Sequence, residues 1–184
     1  MKLSIAKKLN PHAILLHSGV LFDVFNPNLE DINIEDGAHG LSLLCRYGGH
    51  SPKFYSVAQH SVLCSLEKGT PKEQMEFLLH DLTEGFGMVD LPSPVKRQIP
   101  EYVRIENNLQ KIICQRFDLS YPLSKKTHEV DRKMLEFEYK SFFEKPNDLF
   151  DFWSPEKSKE KFLARFSELR GKIKVKNKFF GEIV

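Results

Sequence analysis

The residues best suited to chemistry lie in one stretch, Phe77-Leu-Leu-His80-Asp81-Leu-Thr-Glu84, followed by Asp90-Leu-Pro-Ser-Pro94-Val-Lys96. An imidazole beside a carboxylate inside an apolar run is costly to bury unless something compensates it, and a metal ion is a common compensation. Ligation at neutral pH calls for neutral imidazoles and ionised carboxylates, with at least one position left open for catalysis. On a helix His80 and Asp81 stand about 100° apart and can flank one ion. Glu84, at i+4 from His80, is expected one turn along the same face. There it could exchange a proton with water or a leaving group, or orient His80 through the other ring nitrogen.

Two further ligands must come from elsewhere in the chain. His60 has Val57, Leu63 and Cys64 at −3, +3 and +4, which puts it on the inward stripe of its own helix. Asp131 has Met134 and Leu135 at +3 and +4, at the edge of an inward face. Taken singly, each has a plain structural reading: a hydrogen-bonded core histidine, or a helix-start carboxylate. Together they suggest a metal centre.

The elements that must position these residues read as mostly helical. Residues 13–25 form two short apolar runs around Ser18-Gly19, a small hairpin ended by Asn26-Pro27-Asn28. Helical spacing follows from Ile34 to about Tyr47, where Gly48-Gly49 stops it. Further helices are expected over Val57–Glu67 and Pro71–Glu84, the latter with Thr70 as N-cap and Pro71 in its first turn. Gly85 and Gly87 break it, and a short helix follows through Val95-Lys96-Arg97. Residues 101–117 present Val103, Leu109, Ile113 and Phe117 inward. Residues 126–142 carry Val130, Met134 and Phe137 on one stripe, widened by Leu135 and Phe142. Lys145-Pro-Asn-Asp148 interrupts, and a last helix spans about Pro155 to Arg170, with a basic tail read as a solvated terminus.

Length and composition bound the reading. The 184 residues suit one domain with a core that needs no staples; the hydrophobic share of 41% and charged share of 28% are those of a soluble globular chain. A formal net charge of +2 makes no strong case for nucleic acid. Cys45, Cys64 and Cys114 form no C-x-x-C pair, which argues against a disulfide framework or zinc ribbon and fits a reducing compartment. No apolar run suits a membrane span, and Met1–Lys8 has no long apolar segment behind its charges, so no signal peptide is expected. The expected location is the cytoplasm, the host cytoplasm if the protein is viral.

The order His60 … His80-Asp81 … Asp131 resembles the H…HD…D signature of HD-domain phosphohydrolases. Tyr55-Ser-Val-Ala-Gln-His60-Ser, Leu79-His-Asp-Leu-Thr-Glu84, Asp90-Leu-Pro-Ser-Pro-Val-Lys96 and Cys45-Arg46-Tyr-Gly-Gly-His50 are similar to segments of the small bacterial and phage proteins related to 5′-deoxynucleotidases. The likeness runs from about Ser18 to Asp131; the HD pair is unspecific, and D-x-P-x-P-x-K narrows it. It implies an all-α HD-domain helical bundle with a small N-terminal β-hairpin. One domain is expected over residues 1–184, with a core of about 18–142 and a C-terminal helical extension of about 143–184.

The resemblance implies one divalent transition metal (cobalt, manganese or zinc) held by His60, His80, Asp81 and Asp131, with Glu84 as the catalytic acid. Asp90 would accept a hydrogen bond from the sugar 3′-hydroxyl; its plain alternative is an N-cap for the short helix after it. The chain departs from the family in lacking an Arg-Trp pair near its N-terminus, and its one tryptophan is Trp153. Phe22 or Phe25 would wall the sugar instead, and Arg46 or Lys96 would hold phosphate. Arg46 and His50 otherwise read as a helix C-terminal cation and a loop residue, and His39 as structural or as a residue that supports a ligand from behind.

The activity implied is hydrolysis of deoxynucleoside 5′-monophosphates to deoxynucleoside and phosphate. Alternatives are a dNTP triphosphohydrolase releasing triphosphate, or a non-catalytic metal-containing nucleotide sensor. An alarmone hydrolase would carry Asp where this chain has Gly85, and the Gly-Tyr-Pro signature of cyclic-di-nucleotide esterases is absent. The expected partners are a deoxynucleotide substrate and further copies of the chain, with no membrane.

Overall fold

A computed structural model describes residues 12–144 and 150–181, with side chains as far as Ile173 in the last helix. The Lys145–Asp148 interruption, the N-terminal Met1–Lys8 segment and the side chains of the basic tail beyond Ile173 lie outside the described residues. The chain is mostly helical with one small hairpin, as its periodicity predicts.

Strands β1 (Ala13–Leu15) and β2 (Leu21–Asp23) pair antiparallel with Ile14 opposite Phe22. Among the described residues seven α-helices follow: α1 (Ile34–Leu43), α2 (Val57–Ser65), α3 (Pro71–Leu79), α4 (Ser93–Lys96), α5 (Pro100–Arg116), α6 (Lys125–Tyr139) and α7 (Pro155–Gly181). Side-chain caps fix several starts. Asn33, Ser56 and Ser124 each accept a backbone N–H from the first turn of their helix, and Thr70 and Glu73 form a capping box ahead of Pro71.

The core gathers Leu41, Val57, Ala58, Leu78, Leu79, Leu82, Leu109 and Ile113 with Phe162, Phe166 and Leu169 of α7. Helix α7 packs across α1, α2 and α3 and forms a wall of the bundle. Burying each valine, leucine, isoleucine and phenylalanine of this set contributes roughly 1.5–3 kcal/mol. Among the described residues, no helix is long and apolar enough to cross a membrane.

Two departures from the periodicity matter for the site. The expected helix over 71–84 ends at Leu79; His80 closes α3, Asp81 lies at φ −100° and ψ 14°, and Leu82–Phe86 form a tighter 3-10 turn. Backbone contact is the cause. A Cβ at Gly85 would overlap the Gly37 carbonyl oxygen, and one at Gly40 would overlap that of Gly85, so the turn lies directly on α1. The second departure is on α6. Its buried stripe is Thr127, Val130, Met134 and Glu138, whereas Phe137 and Leu135, expected inward, are 51% and 43% exposed. After Tyr139 the helix widens into a π-helical turn, Lys140–Glu144, which carries Phe142 into the core.

Candidate metal centre and active site

Four donors converge where α2, α6 and the end of α3 meet. His60 Nε2 lies 3.2 Å from Asp131 Oδ1 and 3.8 Å from Asp81 Oδ2, while His80 Nε2 lies 3.2 Å from Asp81 Oδ2 and 3.7 Å from Asp131 Oδ1. Bonds of about 2.0–2.1 Å give a tetrahedron with edges of about 3.3 Å, so these separations suit donors around one ion. The sequence expected His80 and Asp81 on consecutive helical positions. The structure brings them together differently: the break after Leu79 lets Asp81 turn back to its neighbour's ring.

Both imidazoles are oriented from behind. His60 Nδ1–H donates to Glu138 Oε1 at 2.6 Å, and His80 Nδ1–H donates to the Phe77 carbonyl at 2.7 Å. Because a carboxylate and a carbonyl can only accept, each ring turns Nε2 toward the centre. His80 Nε2 is buried without a hydrogen-bond partner. An orphaned acceptor beside two carboxylates is the arrangement a cation satisfies. Without one, the charges meet each other. Burial and Arg46 push the His60 pKa down, but Glu138 and the bond to Asp131 reverse this and hold it well above the ordinary value. His80 is raised too: burial opposes this, and Asp81 and Asp131 prevail. Burial raises Asp81 and Asp131, yet the facing imidazoles pull both below the usual carboxylate range.

Glu138 was missed by the sequence reading. It is fully buried, and besides His60 it accepts Tyr55 Oη–H at 2.6 Å and Tyr47 Oη–H at 2.7 Å, with Arg46 Nε at 3.6 Å. Burial raises its pKa, but these partners override that and hold it at about 2. The available signal was its position four residues after Met134, on the inward stripe, where a carboxylate must have buried partners.

A cavity of about 350 Å³ opens over the centre, lined by Arg46, Tyr47, Asp81, Glu84, Asp90, Pro92, Lys96, Asp131 and Leu135. Glu84 sits in its wall, on the 3-10 turn and not on α3 as expected, with Oε2 buried and unpartnered. Burial, then Asp81 and Asp90, push its pKa well above the ordinary value, which favours the protonated carboxyl. Asp90 also lines the cavity and is raised by burial; the N-cap of α4 is Pro92, so Asp90 does not serve that role.

Arg46 is buried, 3.4 Å from Asp81 Oδ2. Lys96 reaches the cavity, but its Nζ donates to Glu106 Oε1 at 2.6 Å, so its charge is already paired. Phe22 is not brought here. It is fully buried against Phe86 in the core and offers no surface to a ligand, and Phe25 lies at the hairpin against His12. The ring that walls the cavity is Tyr47, whose left-handed backbone (φ 59°) starts the turn completed by Gly48 and Gly49. The adjacent Arg46 and Tyr47 thus supply a cation and an aromatic face together, although the chain has no Arg-Trp pair. His39 stacks on His17 at 3.8 Å, away from the centre.

A second set of donors shares the two imidazoles. His60, Cys64 and His80 keep their ligand atoms within 4.8 Å of one another. The described residues therefore include a cluster able to hold a metal ion.

No family model matches the chain. It is 41% identical over 119 residues to a protein of Escherichia coli strain K12, "Uncharacterized protein YfdR", covering 64% of this chain and 65% of that one. It is 35% identical over 111 residues to "Uncharacterized protein RCAP_rcc00048" of Rhodobacter capsulatus, covering 55% of this chain and 56% of that one. The chain thus spans less than two thirds of either relative, and neither name states an activity.

Proposed function

We propose that the protein is a metal-dependent phosphohydrolase of the HD type that hydrolyses deoxynucleoside 5′-monophosphates. The observation that carries this reading is the convergence of His60, His80, Asp81 and Asp131 beneath a cavity whose wall holds the buried carboxyl of Glu84, its pKa raised by that burial. The cavity lining has carboxyl groups from Asp81, Glu84, Asp90 and Asp131 against the cations of Arg46 and Lys96. An anionic phosphate would be repelled by such a surface unless a cation bound there first, which supports a resident metal over a bare cleft.

His60, His80, Asp81 and Asp131 would hold the ion, of the cobalt, manganese or zinc class. When bound, it supplies Lewis acidity toward water and a phosphate oxygen. The chain's own residues do the rest. Glu84, whose burial favours the protonated carboxyl, gives that proton to the 5′-oxygen as a water oxygen bonds to phosphorus and the P–O5′ bond breaks; the deoxynucleoside leaves as an alcohol, and Glu84 recovers a proton from the attacking water. Arg46, held by Asp81 and Glu138, offsets charge developing on the phosphate. Tyr47 walls the sugar, and Asp90 accepts from a sugar hydroxyl. A wall of carbon against the 2′ position favours deoxyribose, because an added hydroxyl would be desolvated there without a partner.

Product analysis tests this. The protein, supplied with manganese or cobalt, is incubated with each dNMP, dNTP and matching ribonucleotide, with Asp81→Ala alongside. Inorganic phosphate from dNMPs, lost in the variant, is the expected result. Triphosphate from a dNTP would move the protein to the dNTP-consuming class, and no product from any nucleotide by a metal-loaded protein would refute the hydrolase reading.

A further inference from the structure

The imidazole pair faces two ways. On the cavity side stand the carboxylates of Asp81 and Asp131; on the core side stands Cys64, one turn after His60 on α2. Cys64 Sγ lies 3.5 Å from His60 Nε2, and its donor atom is within 4.8 Å of His80's. Bonds of about 2.0–2.1 Å to nitrogen and about 2.3 Å to sulfur, at angles from about 90° to about 110°, put the two atoms about 3.1–3.6 Å apart. The sulfur is therefore at ligand spacing from His60, just as Asp131 is from the other side. A second observation points to the same spot: His80 is 93% buried, its side chain being 7% exposed, and its Nε2 has no hydrogen-bond partner. Around Cys64 the walls are apolar, made by Phe77, Val130 and Met134. Among the described residues, the contact to His60 Nε2 is the polar contact found for this thiol.

We propose that Cys64 is an additional, thiolate ligand of the metal centre, so that the site prefers thiophilic ions of the zinc, cobalt and cadmium class to manganese. Sulfur is a soft donor, whereas the carboxylates suit harder ions. Coordination replaces the S–H bond with a sulfur–metal bond and releases the proton to solvent. This inference rests on the metal centre proposed above, and it names the class of ion that centre takes.

The test uses the full chain stripped of metal by a chelator and titrated with Co(II), followed in the visible and near ultraviolet. Ligand-field bands report any bound cobalt; a sulfur-to-cobalt charge-transfer band reports thiolate ligation. The expected result is both sets of bands in the wild type, with Cys64→Ser keeping the first and losing the second. Should that variant fail to fold, the Cys45→Ser/Cys114→Ser double variant leaves Cys64 as the single thiol, and the charge-transfer band should persist in it. Competition titrations should show Cys64→Ser losing about tenfold or more in cadmium affinity while manganese affinity holds. Ligand-field bands without a charge-transfer band in the wild type would overturn the thiolate ligand and leave the centre standing. Neither band would overturn the centre itself.

Discussion

Substituting Glu138 by Gln probes the network behind the centre while keeping the side chain's shape. Glu138 Oε1 accepts from His60 and Tyr55, and Oε2 accepts from Tyr47 with Arg46 near. An amide offers one oxygen and one NH₂, so one side of the network would face donor to donor, and Arg46 would keep only Asp81 as a close carboxylate. Each charge-assisted bond is worth about 1.5–3 kcal/mol, and breaking a buried pair costs about 3–5 kcal/mol. Since Gln retains one acceptor, the expected loss is about 3–5 kcal/mol, or a Tm fall of roughly 10 °C for a chain of this size. The pH dependence gives a second handle. A carboxyl held at about 2, below its ordinary 4.5, stabilises the fold above pH 4.5 and loses that contribution as pH falls through 4.5 toward 2. That contribution is about 3 kcal/mol. Thermal melts of metal-free protein at pH 7 and through the acid range are the assay. Wild type should lose stability across that window, and Glu138→Gln should start lower and lose less. A variant that melts within about 2 °C of wild type and keeps the same acid slope would refute the assignment of Glu138 as the buried anchor.

Two further substitutions separate chemistry from scaffold. Glu84→Gln mimics the protonated acid that burial favours, so melting and Co(II) binding should be unchanged while phosphate release falls by about a hundredfold or more; unchanged turnover would remove Glu84 from the reaction. Gly85→Ala puts a methyl group into the Gly37 carbonyl of α1, a backbone contact that cannot rotate away. It should destabilise the fold by about 1–3 kcal/mol, read as a lowered urea midpoint, and cut kcat by displacing the neighbouring Glu84.

The helices were legible because their signals are local. Thr70-Pro71 announces the start of α3 through capping chemistry, and the apolar spacing of α2 puts His60 inside. The convergence of His60, His80, Asp81 and Asp131 was legible for a related reason: histidines and carboxylates set among apolar residues must find partners. Signals that depend on another segment were not. Nothing within residues 71–84 says that α3 stops at Leu79, because the cause is the closeness of Gly85 to Gly37 and Gly40 on α1. Phe22 read as a ligand wall because an aromatic in a hairpin has two faces to choose from, and the register that opposes it to Ile14 turns it into the core.

The α6 stripe shows the same logic at the site itself. A reading by hydrophobicity places Phe137 inward and leaves Glu138 to solvent, since burying a charge is costly. The structure reverses the pair: three donors and Arg46, from segments 78 to 92 residues earlier in the chain, compensate Glu138. An apolar side chain in its place would leave the Tyr55 hydroxyl and His60 Nδ1–H buried without this acceptor, take the acceptor from the Tyr47 hydroxyl, and leave Arg46 with Asp81 alone. Polarity at that position is therefore set by His60, which needs its Nδ1 proton held so that Nε2 can face the centre. The buried charge that looks least favourable on α6 is the one that the His60 imidazole on α2 requires.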